Sequence, residues 1–166
     1  MIKALRTTAG AWLAFIAVLL LLSGSAAQAT QPQDDIPFQT VEKYLFSGHT
    51  QAKNYIITND EDWKNLWDTV HHANAPPLPE IDFARQMIIA VFQGEKPSGG
   101  YGIVITELIK AGKRLRVKVT ELMPDPGCIN FPAVEDPGHI IITERLSKKV
   151  LRHVSFEVEQ QVQSCK

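Results

Sequence analysis

The sequence predicts an α+β, β-rich fold: a mainly antiparallel sheet of about six strands with one amphipathic helix packed on it. Three observations carry this. Trp63, Leu66, Trp67 and Val70 recur at i, i+3, i+4 and i+7, the spacing of a helix with one apolar stripe. QMIIAVF, residues 86–92, is continuously apolar, as a central strand covered on both sides would be. In residues 114–122 Leu115, Val117 and Val119 alternate with Arg114, Arg116, Lys118 and Thr120, the pattern of a strand with one buried and one wet face.

The elements follow in order. VEKYLFSG (41–48) and KNYIITN (53–59) have the β-branched and aromatic content of strands, with 47–51 as the turn between them. Asn59 is a good N-cap, and Asp60, Glu61 and Asp62 complement the positive end of the helix dipole. His71 and His72 close the helix where a cation suits the negative end, and Pro76 and Pro77 stop it. Helical spacing favours the two tryptophans as core over a sugar-stacking platform. Strands are expected again at 101–109, 114–122, 139–144 and 150–162, with Ala111-Gly112-Lys113 as a tight turn. Residues 123–138 hold four prolines and two glycines, which makes them a long irregular loop.

The chain begins with MIKALR, an apolar run from Gly10 to Leu22 and then SGSAAQA, the order of a secretory signal cleaved after Ala29. That apolar run is short of the roughly 20 residues a membrane span needs. No stable membrane insertion is therefore expected after cleavage, and the product would be periplasmic or extracellular. Residues 30–39, polar and proline-punctuated, are expected as a flexible lead-in, with one domain at 40–166. Loss of Lys3 and Arg6 leaves 15 basic against 18 acidic residues, a mild net charge of −3 without a basic block. Nucleic acid is not an expected partner.

Cys128 and Cys165 both follow the signal, so in an oxidising compartment they are expected as one disulfide. The rival reading makes Cys128 a nucleophile with His139 as base.

GEKPSGGYGIVI, residues 94–105, decides the question of cofactors. Gly94 and Gly99 have P-loop spacing, but Gly100 and Tyr101 stand where Lys and Ser or Thr should be. Ile105 likewise occupies the third glycine of a dinucleotide fingerprint. Ser98 lies outside a GxSxG elbow, and adjacent His71 and His72 point about 100° apart on a helix. No catalytic residues, cofactor or metal ligands are assigned from these patterns, and the expectation is a non-enzymatic protein. The segment reads instead as a glycine-rich turn between strands, in which Pro97 restricts the backbone and Gly99 and Gly100 supply angles that other residues resist. Tyr101 is open between an interface anchor and a residue packed inward.

The order of EDWKNLW, LPEIDFARQMIIAVFQG, GEKPSGGYGIVI, the hairpin, MPDPGC and DPGHIIIT resembles the C-terminal domain of PrcB, a protein associated with a secreted protease complex. The resemblance runs over roughly residues 40–160. Its most specific parts are Asp82-Phe83, Pro97 with Gly99-Gly100-Tyr101, and Pro126-Gly127-Cys128. It implies an exported module that binds a protease or envelope complex, and it brings no catalytic residues. By analogy with similar exported proteins, it also supports a bridge from Cys128 to Cys165.

On this reading Pro97, Gly99, Gly100, Tyr101, Pro126 and Gly127 belong to the interaction surface. One alternative is a protease inhibitor presenting MPDPGCINFP as a disulfide-held loop. Another is a small hydrolase or ligand-binding protein with a cleft near His71 and His139.

Overall fold

The computed structural model describes residues 32–71 and 75–164. The signal expected at 1–29, the helix-closing role of His72 and the Cys165 half of the disulfide lie outside the described residues.

The described residues form β1 (Gln33–Asp35), β2 (Phe38–Tyr44), β3 (Ala52–Ile57), α1 (Asp60–His71), β4 (Gln86–Gln93), β5 (Gly102–Ala111), β6 (Arg114–Pro124), β7 (Gly138–Glu144), α2 (Lys148–Leu151) and β8 (Val154–Gln163). The expected single sheet is corrected: the eight strands make two four-stranded sheets. The first has the order β1-β5-β6-β8 and the second β2-β7-β4-β3. All pairings are antiparallel except β6 with β8.

β4 explains the layering. Its Met87, Ile89 and Val91 pack against Ile105, Leu108, Leu115, Val117 and Val119 of the first sheet, with Ile141 of β7 beside them. Its Ile88, Ala90 and Phe92 face the other way, onto Trp63, Leu66, Trp67 and Val70 of α1. The unbroken apolar run therefore feeds two cores, one between the sheets and one beneath the helix.

The helix begins as its sequence dictates. Asn59 Oδ1 accepts the backbone N–H of Asp62 at 2.9 Å, satisfying one of the free donors of the first turn. Both tryptophans are core residues, as expected. Each indole N–H also donates to the proline-rich connector, Trp63 to the Pro79 carbonyl and Trp67 to that of Pro76, both at 3.0 Å.

Three boundaries differ from expectation. The strand read at 41–48 runs instead from Phe38 to Tyr44. Gln33–Asp35, inside the expected lead-in, pair with Ile109 to Ala111 at the edge of the first sheet. The last strand starts at Val154 because Val150 and Leu151 belong to α2.

Candidate functional site

Two irregular segments, 94–101 and 125–137, meet at one end of the sheets. Lys96 and Glu135 exchange backbone hydrogen bonds, N–H of Lys96 to O of Glu135 at 2.6 Å and the return bond at 3.1 Å. Gly99 N–H donates to the Phe131 carbonyl at 2.9 Å. The chain just beyond β2 joins from the other side, where Phe46 bridges Asp136 and Ser47 Oγ donates to the Asp136 carbonyl at 2.6 Å. Turn chemistry shapes the remaining corner, since Asp125 Oδ1 accepts the Gly127 N–H at 2.7 Å and its carbonyl accepts the Cys128 N–H.

These segments enclose two adjoining open clefts. The larger, about 610 Å³, is lined by Gly99, Gly100, Gly127, Asn130, Phe131 and Glu135 among others. The second, about 470 Å³, runs from Lys43, Tyr44 and Leu45 past Tyr101 and Ile103. Gly100, Glu135 and Gln163 line both.

The structure gives the two loop glycines different reasons. Gly100 has φ of 94° and so occupies backbone space that an L side chain resists. Gly99, expected to do the same, is not among the positive-φ glycines; it is buried, and a Cβ there would stand 3.4 Å from the Phe131 carbonyl oxygen and from Glu135 Oε1. Its role is close approach between loops. Gly100→Ala is expected to cost about 1–2 kcal/mol in urea unfolding, because alanine must hold a left-handed backbone. An unchanged midpoint would show that the loop relaxes freely.

Tyr101 is half-buried: its N–H donates to Glu135 Oε2 at 3.1 Å, and Lys96 Nζ lies 5.8 Å from its ring centroid, within cation–π range. Pro97, Pro126 and Gly127 are exposed. Gly99, Gly100 and Gly127 thus share one cleft, Tyr101 lines its neighbour, and the two prolines line neither.

Residue patterns missed the large apolar side chains around these clefts. Phe131 is 77% exposed, Phe46 62%, Val134 56% and Leu45 55%, and Ile129 is fully exposed. Phe46 and Leu45 sit in a stretch that reads as strand, where alternation hides one residue in two. The readable signal was INFPAV itself, an apolar run placed in a proline-rich loop.

The histidines do not form a shared cleft. His71 packs on the helix side of the second sheet, with Nε2 3.0 Å from Tyr44 Oη and 3.1 Å from Glu42 Oε2. Burial and the Glu42 carboxylate, to which Tyr44 donates, push the Tyr44 phenol well above its ordinary range. His139 lies on the opposite side, between the sheets and 1% exposed. Its Nδ1 accepts the Ile105 N–H at 2.9 Å, so the proton sits on Nε2, which donates to Thr40 Oγ1 at 3.0 Å. Both ring nitrogens are engaged, which leaves no lone pair for a thiol. Among the described residues no cysteine is free.

A family model described as PrcB C-terminal matches residues 87–144. The match is narrower than the resemblance read from the sequence. Beginning in β4 and ending with β7, the matched stretch contains both cleft-forming loops and leaves out α1, β3 and β8. No curated protein and no solved structure matches the chain.

Proposed function

We propose that the chain is an exported protein-docking module that associates with and stabilises a protease or envelope protein complex. The carrying observation is the group of exposed apolar side chains, Leu45, Phe46, Ile129, Phe131 and Val134, on two segments that are hydrogen-bonded to each other. Aromatic and aliphatic residues on a braced surface lose little conformational freedom on binding and gain the hydrophobic free energy of leaving water. The PrcB C-terminal match, which covers Ile129, Phe131 and Val134 but not Leu45 and Phe46, supports a protease complex as the partner. Export rests on the order of residues 1–29, and no helix among the described residues is long and apolar enough to cross a membrane.

Affinity capture from envelope extract tests the reading. Phe131→Ser and Phe46→Ser are expected to lose on the order of tenfold or more of the captured protease while keeping the parent melting temperature, since both side chains are already in water. Full recovery by both variants would sink it. Tyr101→Ala, assayed beside them, decides whether the half-buried ring contributes.

A Cys128–Cys165 bridge belongs to the same proposal and accords with the lack of a free described cysteine. Alkylation before reduction should label no thiol, and alkylation after reduction two; labelling of both before reduction would refute the bridge. Ile129, fully exposed beside Cys128, favours the inhibitory variant of the reading. Titration of the captured protease separates the two, because a scaffold leaves its activity unchanged at saturation.

A further inference from the structure

Glu135 is 7% exposed, yet it makes no ion pair among the described residues. Among the described residues its side chain has a single hydrogen-bond partner, the Tyr101 N–H on Oε2. A glutamine would also offer that N–H a side-chain acceptor. The negative charge therefore has no cationic partner among the described residues, at a position where an uncompensated carboxylate is costly. Lys96 is the nearest cationic residue along the backbone bridge, but its ammonium is directed to the Tyr101 ring. Lys43 lines the outer part of the second cleft and is exposed to solvent.

Position supplies the rest. Glu135 lines both clefts, at their junction, and the exposed Phe131 and Val134 are close to it in the same loop. Resting on the docking reading, we propose that Glu135 is the specificity determinant of that surface and receives a lysine or arginine side chain of the partner, carried between apolar residues. The cation enters the cleft beside the exposed Gly100 and meets the carboxylate. The flanking apolar residues cover Phe131 and its neighbours. Desolvated pairs of this kind contribute selectivity, because a neutral or acidic side chain leaves the buried charge without a partner.

The probe is a capped pentapeptide with lysine between leucine and phenylalanine, titrated into ¹⁵N-labelled protein alongside the same peptide with glutamine or glutamate in place of lysine. The lysine peptide should move the Gly99, Gly100 and Tyr101 amides saturably, and the other two should bind on the order of tenfold more weakly or worse. Glu135→Gln keeps an acceptor for Tyr101 and should preserve the unliganded amide spectrum while abolishing the preference for lysine. Equal binding of the peptides, unmoved Gly99, Gly100 and Tyr101 amides, or a preference that survives Glu135→Gln would each overturn the proposal. Equal binding that disappears in Phe131→Ser leaves the docking surface standing and removes only its charge selectivity. Partner capture indifferent to Phe131→Ser counts against the docking reading itself.

Discussion

Trp63→Ala is expected to lower the unfolding free energy by about 3–5 kcal/mol. The indole is 1% exposed and sits in the core beneath α1, its ring centroid 5.1 Å from that of Trp67. Truncation removes a large apolar surface from that core and leaves a cavity that the neighbouring strand is poorly placed to fill. β4 carries the facing Ile88, Ala90 and Phe92, but its other face is fixed in the core between the sheets, so it cannot move toward the helix without opening the second core. The Pro79 carbonyl also loses its indole donor. Urea unfolding followed by far-ultraviolet circular dichroism measures the change. Trp63→Phe separates the causes, since it restores most of the packing without the hydrogen bond and should recover more than half of the loss. A loss below about 1 kcal/mol in the alanine variant would mean that the helix is not cooperative with the sheets.

The helix was legible because its boundary signals and its stripe agree: Asn59 caps, three acids follow, and four apolar residues share one face. The burial of β4 on both faces was legible for the same reason. What that burial implied was harder to read. A single 12-residue helix covers one face of a four-stranded sheet, so the other face of β4 required a second layer. Alternation in β6 states that one face is buried and is silent on whether a helix or a sheet buries it. That ambiguity produced one sheet where there are two. The end of the chain failed through spacing: Val150 and Val154 are four apart, a separation that fits both a strand and a helix turn, so α2 was absorbed into the last strand.

The site was half legible. Glycine and proline content located both loops, and the structure joins them through Lys96 with Glu135 and Gly99 with Phe131. Composition finds where the backbone turns. It does not find which side chains remain in water, because exposure of Phe46 and Phe131 depends on which segments lie opposite them. Glu135 was unreadable for a related reason: among many carboxylates, only the folded chain shows which one is buried without a cation.

Acid should destabilise the protein through His139. Burial, and after it the positive charge of Lys43, hold this imidazole down from 6.5 to about 4. The unfolded chain therefore takes up a proton on His139 before the folded chain does. Its contribution is fully present above pH 6.5, declines as the pH falls, and is lost once the pH reaches the folded value near 4. At about 1.4 kcal/mol per pH unit of depression, the loss amounts to about 3 kcal/mol. The geometry gives the cause. A bulge in β5 at Ile105 and Glu107 diverts the Ile105 N–H from its ladder to His139 Nδ1, tying the two sheets together. A proton on Nδ1 would set donor against donor across that junction and place a charge between the sheets, where no described carboxylate pairs with it. Urea midpoints measured between pH 8 and pH 4 should fall across this window, and His139→Asn, which keeps a side-chain acceptor without a titrating group, should start less stable and lose distinctly less. Parallel pH profiles for the two proteins would place the acid sensitivity on other groups.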